Sequence, residues 1–171
     1  PLAYKYTNID VFRTWGTSLT TTIDYHNLTL NTGVTFSGVS KVEDAKSDVA
    51  YSDDYLYGVQ ANFNASYRIP KWKMVCSIFA KYNGPEYLFV SRNDGRLEKG
   101  KQNDYAMLDA SIKKTLFSDK LEITAGARNL LNVTTISTTA REGGVHSGPP
   151  VEQLLGYGRS YFLKLLYKFN F

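Results

Sequence analysis

The chain has 171 residues, enough for one domain with a real core, and carries a mild net charge of +4. No basic run is dense enough for a nucleic-acid surface, and the single cysteine, Cys76, excludes an intrachain disulfide and a cysteine-based metal site. No apolar run reaches the roughly 18 residues of a membrane-crossing helix, which leaves strands as the remaining way across a bilayer.

Residues 1–10 read as a loop leading into the first strand, Val11 to Tyr25. Side chains alternate between faces along a strand, so Trp15, Leu19, Ile23 and Tyr25 share one face with Thr17 and Thr21. Thr14, Ser18, Thr20, Thr22 and Asp24 take the other. His26-Asn27 makes a tight turn into the second strand, Leu28 to Ser40. There Leu28, Leu30, Val34 and Phe36 oppose Thr29, Asn31, Gly33, Thr35 and Ser37. That polar face has little bulk and suits a wet lumen better than a dry core.

Residues 41–56 read as a polar loop, in which Asp53-Asp54 suggests calcium or, as the favoured reading, a solvated acidic turn. The third strand, Tyr57 to Ile69, alternates most cleanly. Val59, Ala61, Phe63, Ala65, Tyr67 and Ile69 oppose Gly58, Gln60, Asn62, Asn64, Ser66 and Arg68. Three amides on one strand face are costly in a dry core. Pro70-Lys71 turns the chain into the fourth strand, Trp72 to Asn83, and PEYLFVS after Gly84 continues it above a membrane. A charged, glycine-bearing loop over about 91–103 precedes the fifth strand, Asp104 to Leu116. A short turn, Phe117 to Lys120, leads to the sixth, Leu121 to Val133. After a long loop over 134–155, the seventh strand runs from Gly156 to Phe171. Its odd positions from Tyr161 onward are all apolar or aromatic, while the even ones include Lys164, Lys168 and Asn170.

The connections alternate strictly between tight turns (26–27, 70–71, 117–120) and long loops (near 41–56, 84–103, 134–156). Outer-membrane barrels have this asymmetry, with short periplasmic turns and long external loops. It puts Tyr25, Tyr67, Trp72, Phe117, Tyr167 and Phe169 near the periplasmic boundary, and Trp15, Tyr57, Tyr82, Tyr105 and Tyr161 near the outer one. The fold class expected is therefore all-β, an antiparallel transmembrane β-barrel. Single-chain bacterial barrels have an even number of strands, eight or more. Seven strands read as the C-terminal part of one larger barrel, and a start at Pro1 without Met or signal peptide reads the same way.

The closing GYGRSYFLKLLYKFNF resembles the last strand of TonB-dependent outer-membrane receptors of the Bacteroides type. Arg128-Asn129-Leu130-Leu131-Asn132 is similar to the N-L-F-N signature of their penultimate strand, with Leu131 where Phe is usual. YTNIDVFRTWG resembles the opening of a strand in these barrels, with Ser18 where Glu is usual. The resemblance implies energy-coupled uptake of a scarce nutrient, such as an iron chelate, haem or a cobalamin. It implies as partners outer-membrane lipid, an N-terminal plug and the remaining strands of the same protein, TonB, the barrel assembly machinery and a surface lipoprotein. Tyr167, Phe169 and Phe171 would form the assembly signal. Tyr55, Tyr57, Arg92, Arg141 and His146, in external segments, are the candidates for substrate contact: Arg and Tyr suit an anion or a ring, and His suits iron or haem. Lumen charges Lys73, Lys81, Glu122, Arg128, Lys164 and Lys168 would pair with the plug or each other.

No nucleophile–His–acid set can be assembled, no phosphate loop appears, and no cofactor is implied, so an enzyme is not expected. Two other readings stay open: a passive porin or autotransporter-type barrel, and a soluble carbohydrate-binding β protein, for which the tyrosine surplus (13 Tyr against 9 Phe) is also suited.

Overall fold

A computed structural model describes residues 14–40, 55–91, 97–139 and 151–169. They form eleven strands: β1 (Thr14–Tyr25), β2 (Leu28–Ser40), β3 (Tyr55–Ile69), β4 (Met74–Asn83), β5 (Glu86–Ser91), β6 (Leu97–Gln102), β7 (Tyr105–Leu116), β8 (Leu121–Arg128), β9 (Thr135–Thr138), β10 (Val151–Leu154) and β11 (Ser160–Tyr167). Seven of them make one antiparallel sheet, the wall, in the order β1-β2-β3-β4-β7-β8-β11. The other four make a smaller sheet in the order β10-β9-β6-β5.

The register aligns the alternation of every wall strand. Ile23 faces Leu30, Leu30 faces Ala65, Ala65 faces Ile78, and the row continues through Ala110 and Ala127 to Tyr161. A slip of one residue in any pairing would break this row. One face is thus apolar across all seven strands. The other carries the small and polar side chains, with Phe79, Phe162 and Leu166 among them, and is tied by direct cross-strand rungs: Ser18 with Thr35 at 2.9 Å, Thr22 donating to Asn31 at 2.8 Å, Thr29 donating to Asp24 at 2.7 Å, and Ser66 with Ser77 at 3.2 Å.

The core is not inside the sheet. Leu56 and Ile136 are the only buried apolar residues described, whereas Leu19, Tyr161 and Leu163 are 73%, 75% and 68% exposed. A soluble domain of this size cannot leave such a face to water; hydrocarbon covers it without requiring protein partners.

The short turns fall at one end of the wall. His26, with φ 53°, turns the chain between Tyr25 and Leu28. The second turn is longer than the sequence indicated. Pro70–Trp72 form a turn of 3-10 helix, Lys73 follows in the left-handed region (φ 48°), and β4 begins only at Met74 rather than Trp72. In the third, Phe117, Ser118 and Asp119 are all left-handed, with φ of 52°, 51° and 71°.

At the other end the expected long loops hold strands. The hairpin β5–β6 occupies most of 84–103, and β9–β10 lie within 134–155. β5 follows β4, β6 precedes β7, β9 follows β8 and β10 precedes β11, so the small sheet repeats the wall order β4-β7-β8-β11. It is the same sheet resumed after a break at Gly84-Pro85, Asn103-Asp104, Asn129–Thr134 and Leu155–Arg159. Two corrections follow: the sixth expected strand stops at Arg128 instead of Val133, and the closing strand starts at Ser160 instead of Gly156.

Aromatic residues sit at both ends of the apolar face, and their heights slope across the register. Trp15 is level with Gly38 and Tyr57. Tyr82 is level with Leu19, and Tyr161 with Ile23, four and eight residues further along β1. Eight residues at ~3.3 Å, over six steps between strands at ~4.8 Å, is a slope of about 40°. At the turn end Tyr25 is level with Tyr67, while Tyr167 at the end of β11, and Phe169 after it, lie further down, a slope of the same sense. Strands tilted by roughly 35–45° carry level aromatic girdles in this way. Tyr105 differs from the other outer aromatics: it stands opposite Asn83, on the polar face.

Candidate functional site: the outer rim of the wall

The rim is where the wall breaks and the external sheet begins. It is built around Asn129, which is 7% exposed. Both Asn129 and Asn132 take positive φ, 53° and 57°, a conformation asparagine tolerates because its short amide bonds locally. The Asn129 side chain closes a ring with Val133, accepting from its N–H at 2.9 Å and donating to its carbonyl at 2.8 Å. The Asn129 N–H donates to the Asp109 carboxylate at 2.8 Å, and the Leu130 N–H donates to the Leu108 carbonyl at 2.7 Å. Those bonds fasten the end of β8 to β7. Asn132 Oδ1 accepts the Arg159 N–H at 3.0 Å, and the Arg159 guanidinium donates to the Leu130 carbonyl at 2.7 Å. Those fasten it to the start of β11. The knuckle 129–132 therefore locks three wall strands at one height.

Next to it on the polar face, Phe162 of β11 lies over Gly126 of β8. A Cβ added at Gly126 would stand 2.5 Å from the Phe162 ring. The Arg128 guanidinium lies 5.2 Å from that ring's centroid, a cation–π contact. A second aromatic-on-glycine seat occurs on the apolar face, where the Trp15 indole covers Gly38.

Of the residues expected to meet substrate, Tyr55 and Tyr57 are described. Both stand on the apolar face, in one ring cluster with Trp15 and Phe36. Trp15 meets Phe36 edge-on at 5.5 Å, and Phe36 stacks on Tyr57 at 5.6 Å. Tyr55 lies 6.4 Å from Trp15. This face puts them in the outer aromatic girdle and not on the lumen wall. Arg92, Arg141 and His146 lie outside the described residues, as does Phe171. Tyr167 and Phe169, with rings 4.7 Å apart, are together and exposed at the periplasmic end.

The lumen charges divide. Lys168 donates to Glu122 at 2.7 Å beside the wall, whereas Lys73, expected in the lumen, lies in the turn before β4 and donates to Asp119 of the next turn at 3.1 Å. The hydrogen bond that Lys168 donates to the Glu122 carboxylate raises its ammonium above the ordinary lysine range. Asp109 and Arg159 carry the knuckle, and neither stood out in the sequence. The local N-L-L-N wording was the one readable signal for it; the partners lie 20 and 27 residues away along the chain.

A sheet apolar across one face and polar across the other, girdled by aromatics at a slant, with short turns at one end, is the wall of a transmembrane β-barrel. A sequence model of the outer membrane protein beta-barrel family matches residues 2–147, and the chain belongs to that family. It is a protein of the outer membrane of Gram-negative bacteria, which removes the soluble carbohydrate-binding reading. No curated protein and no solved structure matches it.

Proposed function

We propose that the chain is the C-terminal part of the barrel of a TonB-dependent receptor, which imports a scarce nutrient such as an iron chelate, haem or a cobalamin. The observation that carries the reading is the open wall. Among the described residues nothing pairs with the outer edge of β1 or of β11. An open edge in hydrocarbon leaves a row of backbone groups unsatisfied, so further strands of the same protein cover both. These seven strands would be about a third of a barrel of about 22 strands, the size whose lumen holds a plug. The external sheet raises the wall above the membrane, where Arg92, Arg141 and His146 are the candidates for substrate capture. Energy comes from TonB acting on the plug, and a surface lipoprotein is a candidate partner at the outer rim. The chain's part is wall, external gate and assembly signal, and no catalysis is assigned to it.

The test is made on the native polypeptide extracted in detergent. A mass several times 19.3 kDa and capture by the periplasmic domain of TonB are expected. A large barrel that TonB does not capture would leave the passive pore as the better reading.

A further inference from the structure

The two longer turns at the periplasmic end are joined into one platform. Lys73 of the first bridges to Asp119 of the second at 3.1 Å. The Thr115 N–H donates to the Lys73 carbonyl at 3.0 Å, and the Lys114 ammonium donates to the Trp72 carbonyl. Lys114 is on the apolar face, in the same register as Ile112, so its charged end reaches down the strand to the turn while its stem lies against hydrocarbon. Lys71 and Lys120 stand exposed at the two turns. The platform's one acid, Asp119, is already paired with Lys73, so among the described residues no carboxylate pairs with the other three lysines. Between them two large rings are open, Trp72 at 56% and Phe117 at 70% exposure.

We propose that this platform is a binding site for anionic phospholipid headgroups of the inner leaflet. The inference rests on membership of the barrel family and on the turns facing the periplasm, and not on TonB coupling. The place is right, because the lower aromatic girdle sets these turns at headgroup height. The chemistry is complementary: the lysines meet the net charge of a phosphodiester, and the rings enter the layer between headgroup and acyl chain. A zwitterionic headgroup brings no net charge, so the site prefers phosphatidylglycerol to phosphatidylcholine of the same chains. The ion pair and backbone bonds that join the two turns fix their backbones relative to each other, so binding orders the lysine side chains without moving the turns.

The experiment is native mass spectrometry of the full-length protein, stripped of lipid in a neutral detergent and titrated with each lipid. Wild type is expected to bind phosphatidylglycerol about fivefold more strongly than phosphatidylcholine. Lys71→Gln/Lys120→Gln, confined to exposed turn positions, is expected to lose most of that preference and leave phosphatidylcholine binding unchanged. Adding Lys114→Gln removes the remainder. Equal binding of the two lipids by wild type overturns the proposal, as does a preference the double variant retains. Competition by soluble glycerol phosphate as effective as by the lipid also overturns it, because the rings would then have no part.

Discussion

Asn132 reaches across to the closing strand: its side-chain oxygen accepts the backbone N–H of Arg159 at 3.0 Å, and Arg159 in turn caps the Leu130 carbonyl at 2.7 Å. Two residues 27 apart along the chain thus decide the height at which β11 meets β8. Asn129 performs the matching task toward β7 through Asp109.

Asn129→Ala is expected to destabilise the folded wall by about 1–3 kcal/mol, since it unpairs the part-buried N–H and carbonyl of Val133 and leaves alanine in a left-handed conformation. Asn132→Ala, at a more exposed place, should cost about 1 kcal/mol. The check is the temperature at which the folded band is lost in a heat-modifiability gel. An unchanged temperature for Asn129→Ala would mean the knuckle does not hold the strands.

Gly126→Val forces a side chain into the Phe162 ring and is expected to cost about 1–3 kcal/mol. Phe162→Ala removes the ring contact but not that with the Ala110 carbonyl, 2.8 Å from the same Cβ, so the double variant should be partly rescued, less destabilised than the sum of the two single ones. Additive losses in urea titration would show that the Ala110 contact, and not the ring, sets the cost.

The two faces of β11 give opposite tolerances. Leu163→Arg, on the lipid face, is expected to cost about 2–4 kcal/mol in folding into vesicles if it lies near the midplane. Lys164→Gln, on the lumen face, should change little. Equal effects at the two positions would reverse the assignment of faces.

Lys168 titrates above its ordinary range because the Glu122 carboxylate bonds its charged form. A raised lysine adds stability that is complete below the unfolded-state value and is lost as pH climbs through the folded-state one. Wild type should therefore lose a small increment of stability in the alkaline range above the ordinary lysine value. Glu122→Gln should flatten that loss. A profile unaltered by the substitution would remove the pair from the account.

Deleting Phe171 is expected to lower the amount assembled in the outer membrane while leaving ligand affinity of the assembled molecules unchanged. Quantifying folded barrel in membrane fractions against total protein tests this, and normal assembly would count against the closing-strand signal.

The sequence by itself determined the wall. Period-two alternation is local, and Leu28, Leu30, Val34 and Phe36 opposite Thr29, Asn31 and Thr35 can be read without knowing any partner. The turn residues and the alternation of short with long connections set which ends share a side. Only the tertiary structure decided what happens at the rim. PEYLFVS could be read as strand continuing above the membrane, but 97–102 and 134–155 are too short and too mixed in period to announce strands; β6 forms against β5 and β9 against β10, and the two hairpins meet at Gln102 and Thr138. In the same way Arg128–Asn132 reads as unbroken strand until Asp109 and Arg159 supply the bonds that let Asn129 and Asn132 turn left-handed. The alternation follows from a bilayer on one side and water on the other, which every residue of a strand meets alone. The rim follows from hydrogen bonds between residues far apart in the chain, which no local pattern encodes.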